Sequence, residues 1–217
     1  YGVVAASGYG SATVDNSGFV GAYSVGYYRA TGITASGPAG ATVINSGEVN
    51  TYGKYSIGIQ ANAGDGIAQV DNTGLVVAEG KYSYGAIAIS SLGDAIVGND
   101  GTVIADGYAL GAGLLALSTD GDANVTNGAY GSVYAYGDSA AFGVYARSTY
   151  GNASVSNDGG TIGAQSYGGN ALGIAAGGYT ANVDNSGLVQ AVGYYGATGV
   201  AVQAQSSAVV DNAGSIY

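Results

Sequence analysis

Apolar and polar residues alternate in short runs along the whole chain, and the runs return in a fixed order. One run reads A-x-V-x-N, as in Ala12, Val14 and Asn16. A second reads V-x-A, as in Val76 and Ala78. A third follows a glycine, as in Phe142, Val144, Ala146 and Leu172, Ile174, Ala176. Alternation at two residues puts successive side chains on opposite faces of a strand, and no segment sustains the 3.6-residue period of a helix. Gly, Ser, Asn and Asp separate the runs and predict corners.

The interval between returns defines the architecture. The asparagines Asn16, Asn45, Asn72, Asn99, Asn127, Asn157, Asn185 and Asn212 are spaced by 29, 27, 27, 28, 30, 28 and 27 residues. Four residues after most of them stands a β-branched residue: Val20, Val49, Val76, Val103, Val189 and Ile216, delayed by one or two residues at Val133 and Ile162. A small side chain follows two residues later, as at Ala22, Thr51, Ala78 and Ala105. The third column pairs a glycine with an apolar residue, as in Gly32-Ile33, Gly58-Ile59 and Gly113-Leu114. Three short strands per unit, repeated at about 28 residues, predict an all-β parallel solenoid of seven to eight coils. Equivalent strands stack on their own copies with rungs about 4.8 Å apart. Residues 1–217 are read as one such segment without caps, part of a longer array.

The pentapeptide V-D-N-S-G at 14–18 and 183–187 illustrates the coil. Valine is expected inside, aspartate outside and asparagine inside at the strand end. A buried amide is costly unless paired, and stacked asparagines can donate and accept along their column. The glycine is expected to turn the corner through its freedom to take positive φ.

Composition narrows the functions. Of 217 residues, 42 are glycine, 20 tyrosine and only 8% charged, with no cysteine, histidine, methionine or tryptophan. The net charge of −10 and only four basic residues argue against nucleic acid and anionic membrane surfaces. No apolar run approaches the length of a membrane helix, so no membrane insertion of this segment is expected. Absence of cysteine suits a reducing cytosol or a chain exported unfolded through an oxidising compartment. The remaining composition favours export.

The recurring V-x-N-S-G-x-[VI]-x-A followed by G-[IV]-x-A, with corners such as Y-S-Y-G and V-G-Y-Y-G, resembles the passenger repeats of bacterial autotransporters and related large surface adhesins. The resemblance spans essentially the whole chain and lies in the style of the repeat. It implies a right-handed parallel β-helix and display outside a Gram-negative cell. It brings no catalytic residues.

Without histidine and cysteine the usual triads and imidazole bases are missing, and the chain is read as not an enzyme. The alternative, a polysaccharide-active β-helix, would need cooperating carboxylates or arginines. Arg29 and Arg147 fall about four rungs apart, and Asp184 and Asp211 on adjacent rungs belong to the structural V-D-N motif. No cofactor is expected, with Ca²⁺ as a weak candidate at Asp94, Asp120 and Asp122, near Asp65. Tyrosine is more telling. Tyr27, Tyr28, Tyr55, Tyr82, Tyr108, Tyr167, Tyr194 and Tyr195 follow the second strand and should line one edge. Exposed rings offer apolar area and a hydroxyl. The sequence therefore points to an extracellular or cell-surface adhesive rod, or a biofilm matrix fibre. Its expected partners are a glycan or protein surface, or copies of itself in a filament.

Overall fold

The computed structural model describes every residue except Tyr27. Among the described residues all regular structure is β-strand. Strands pair in parallel with their own counterparts one turn away, as between residues 41–45 and 68–72 or 103–107 and 133–137. The chain is a β-solenoid of about eight turns with roughly 28 residues per turn.

The repeat columns hold register even where the sequence interval is irregular. Val103 pairs with Val133, Val133 with Ile162 and Ile162 with Val189. The extra residues before Val133 are taken up in the corner, where the Gly131 N–H donates to the Gly128 carbonyl at 2.9 Å. Alternation does the rest: Val43, Val70 and Val97 are fully inside, while Ile44 and Asp184 on the same face of the turn point outward. Ile33, Ile59, Leu114, Ile162 and Ile174 are the largest buried side chains. Burying each such side chain is worth about 1.5–3 kcal/mol, so a narrow core of Val, Ile and Ala is enough when it repeats turn after turn.

Corners between the second and third segments are often bends rather than breaks. Glu48–Ala63, Leu75–Ser90 and Thr102–Ser118 each run through as one strand. Gly53, Gly80 and Gly107 stay paired through the bend. In the fifth turn the segments separate into Ser132–Gly137 and Ala140–Ser148, with Asp138 and Ser139 between them.

The structure corrects the role expected of the corner glycine. Gly159, which follows Asn157 and Asp158, does take a positive φ of 77°, as does Gly26 at 84°, whereas the glycines of the N-S-G motif are not among the positive-φ residues. Gly18 aside, their need is proximity. A Cβ on Gly47 would lie 2.0 Å from the Gly18 carbonyl oxygen, and one on Gly74 would lie 2.0 Å from that of Gly47. The glycine column of the third segment has a parallel cause. A Cβ on Gly58 would sit 2.2 Å from Val76 Cγ1 and 2.6 Å from the Gly85 carbonyl oxygen. The β-branched column of the next turn presses into the space that each glycine leaves.

Candidate functional site

The eight asparagines form one continuous ladder. Nδ2 of each donates to Oδ1 of the next, from Asn16 to Asn45 (2.7 Å), through Asn72, Asn99, Asn127 and Asn157, to Asn185 and Asn212 (2.7 Å). The second amide hydrogen bonds a corner carbonyl on its own turn, such as Gly47 O from Asn45 and Gly101 O from Asn99. Interior members thus spend both donors on the fold, leaving none to hold a ligand.

Two further ladders escaped the sequence reading. Ser90, Ser118 and Ser148 end the third segment of successive turns, and their hydroxyls donate to the carbonyls of Gly66, Gly93 and Gly121. The S-x-x-G spacing around Ser90 and Ser118 was the available signal. At the adjoining corner, Asp94 Oδ1 accepts from the Asp122 N–H at 2.8 Å, and Asp122 Oδ1 from the Asn152 N–H at 2.7 Å. Asn152 Oδ1 in turn accepts from the Thr180 hydroxyl at 2.6 Å. One carboxylate oxygen of each of the calcium candidates Asp94 and Asp122 thus accepts a backbone N–H of the neighbouring turn. Asp120 is exposed and stands in a different column from this pair. No group of three acidic residues converges among the described residues.

The tyrosines share an edge but not a single column. Tyr55 pairs in register with Tyr82, and their rings stack at 5.1 Å and 11°. Tyr108 lies instead where the Thr102–Ser118 strand shifts register, and Tyr167, Tyr194 and Tyr195 in the bends between the second and third segments, all well exposed. Tyr28 is also exposed at the corner, and Tyr27 falls outside the described residues. Asp138 interrupts the series: its N–H donates to the Tyr108 carbonyl, and its own carbonyl accepts from Gly168 N–H. Tyr194 and Tyr195 meet edge to face at 5.0 Å.

A second stacked pair, Tyr23 and Tyr52, was missed by the sequence reading and stacks at 5.2 Å and 10°. It ends the second segment, just before the corner, and its column continues as Glu79 and Asp106. Between the two pairs the corner carries Lys54 and Lys81, with each Nζ 5.6 Å from the ring centre of Tyr55 and Tyr82 respectively. Arg29 heads the Tyr55–Tyr82 column and bonds Thr31 Oγ1 at 3.0 Å and Gln60 Oε1. Arg147 stands four turns away, in a groove of about 390 Å³ beside Tyr145. Asp184 and Asp211 are register partners on adjacent turns, both exposed.

Among the described residues, two phenols depart from ordinary acidity. Burial pushes Tyr84 up, with Tyr82 and Tyr55 adding to the effect. Burial also raises Tyr136, helped by Tyr134, Tyr167 and Asp106. Neutral phenol is the form each site favours. Their stabilising contribution is present below the ordinary tyrosine value of about 10 and is lost as pH rises through the raised folded values. In an ultraviolet phenolate titration, a late-ionising fraction is expected that disappears in the Tyr84→Phe, Tyr136→Phe double variant. If that variant titrates like the wild type, the assignment is wrong.

No protein-family model matches the chain, and neither the curated proteins nor the solved structures contain a significant match.

Proposed function

We propose that this solenoid is a structural and adhesive rod, displayed at the outer surface of a Gram-negative bacterium or in its extracellular matrix. The observation that carries the reading is the tyrosine edge, with its stacked Tyr55–Tyr82 pair and the exposed rings of Tyr108, Tyr167 and Tyr194. A regular stack presents such rings on one side of a stiff support. Weak contacts that are individually reversible then add through avidity. Interior polar side chains support the same reading, since the asparagine, serine and corner ladders commit them to holding turns together.

The test is a triple variant, Tyr55→Ser, Tyr82→Ser, Tyr108→Ser. These side chains are outside the core, so circular dichroism should stay that of the wild-type solenoid. Retention of the chain on cell surfaces or glycan-coated beads is expected to drop by about tenfold or more, as avidity contacts are removed. Unchanged retention by the folded variant would show that this edge is not the contact surface.

A further inference from the structure

Basic residues are scarce in this chain, yet three of the four lie at one edge of its first three turns: Arg29, Lys54 and Lys81. Lys54 and Lys81 occupy the same corner on consecutive turns, each following a glycine that pairs with the other, Gly53 with Gly80. The corner forms a groove of about 310 Å³ whose lining includes Tyr23, Tyr52, Lys54, Lys81 and Tyr108. The Tyr23–Tyr52 stack stands on one side of the lysines and the Tyr55–Tyr82 stack on the other. We infer that this corner binds an acidic polysaccharide of the polyuronate class, lying along the solenoid axis.

Three features select that ligand. Tyrosine faces pack against the C–H faces of sugar rings, while the ammonium groups meet carboxylates. Equivalent groups recur at the rung spacing of about 4.8 Å, comparable with the advance per sugar along an extended polysaccharide, so adjacent lysines can meet successive uronates. The remaining charge then limits the choice. With a chain net charge of −10, and with Glu79 and Asp106 extending the Tyr23–Tyr52 column, the field is favourable only locally. A short run of carboxylates fits that patch, whereas a nucleic acid needs a longer basic track.

The inference rests on the adhesive reading and specifies its ligand. It is tested by titrating the chain with polygalacturonate, with fully methyl-esterified polygalacturonate and with single-stranded DNA, at low and high salt. The acid form is expected to bind, and to weaken with salt as screening grows. Lys54→Gln, Lys81→Gln is expected to weaken it by about tenfold. A Tyr52→Ser variant, which keeps both charges, is expected to weaken the acid form in the same sense. Equal binding of the ester, equal binding of DNA, or affinity unchanged by the lysine substitutions would overturn the proposal. Surface retention of the lysine variant separates the two readings: retention lost only in the tyrosine triple variant leaves the adhesive rod standing without its uronate ligand.

Discussion

Asn99→Ala is expected to cost about 3–5 kcal/mol of stability, because two buried amides lose a partner together. Asn99 is 3% exposed. It accepts from Asn72 at 2.8 Å, donates to Asn127 at 2.9 Å and donates to the Gly101 carbonyl at 3.1 Å. Removing it orphans a donor below, on Asn72, and an acceptor above, on Asn127, while the Gly101 carbonyl keeps the Ser132 N–H at 2.9 Å. Asn99→Asp is the sharper variant. A carboxylate can still accept from Asn72, but it faces Asn127 Oδ1 and Gly101 O with no hydrogen to give. Burial and these oxygens raise its folded pKa above the ordinary aspartate value of about 3.9. The folded state then holds the proton more tightly than the unfolded chain. Stability of the variant is therefore highest below the unfolded value and falls as pH rises through the raised one. Urea midpoints across a pH series check both variants, with the outward-facing Asn124→Ala expected within about 0.5 kcal/mol of wild type. A wild-type midpoint for Asn99→Ala would mean that the amide column does not hold the turns together.

That column was legible in the sequence because its cause is periodic. An inward asparagine at one position per turn must lie over its copies once the turns stack, and the same reasoning placed Val76 over Val49 and Ile162 over Val133. What the pattern left open depends on distances. The eight tyrosines could be assigned to an edge from their spacing, but not to columns, since corner lengths vary. Gly107 and Leu110 enclose two residues where Gly80 and Tyr82 enclose one, so Tyr108 leaves the Tyr55–Tyr82 stack. Tyr23 and Tyr52 were overlooked because they lie inside a strand segment rather than in the corner composition that attracted notice. Asp94 and Asp122 looked like cation ligands by type. That one oxygen of each also accepts a backbone N–H was hidden, because it depends on where the next turn places that group. The glycines were misread for a related reason: sequence shows that a side chain is refused, not whether dihedral angle or a neighbouring turn refuses it.

The two explanations separate at Gly18 and Gly74, which hold the same place in the N-[ST]-G motif. If positive φ were the requirement, alanine would be costly at both. Neither is among the positive-φ glycines. A Cβ on Gly18 meets nothing within 4 Å. The same atom on Gly74 would lie 2.0 Å from the Gly47 carbonyl oxygen and 2.9 Å from the Gly47 nitrogen. Those are backbone atoms, fixed by the ladder bonds that join the turns, so relief requires the turns to separate. Gly74→Ala is accordingly expected to destabilise by about 3 kcal/mol, at the upper end for overpacking. Gly18→Ala should stay within about 0.5 kcal/mol. Gly159→Ala, where φ is 77° but the nearest atoms are 3.7 Å away, should cost an intermediate 1–2 kcal/mol, roughly the left-handed penalty of an L-residue. Hydrogen exchange adds a spatial readout. In a stack whose stability comes from neighbouring-turn contacts, Gly74→Ala should speed exchange in the turns around Asn45 and Asn72 and leave those around Asn157 protected. Equal losses at Gly18 and Gly74 would return the explanation to the local dihedral angle and remove close approach of turns as the reason this motif carries glycine.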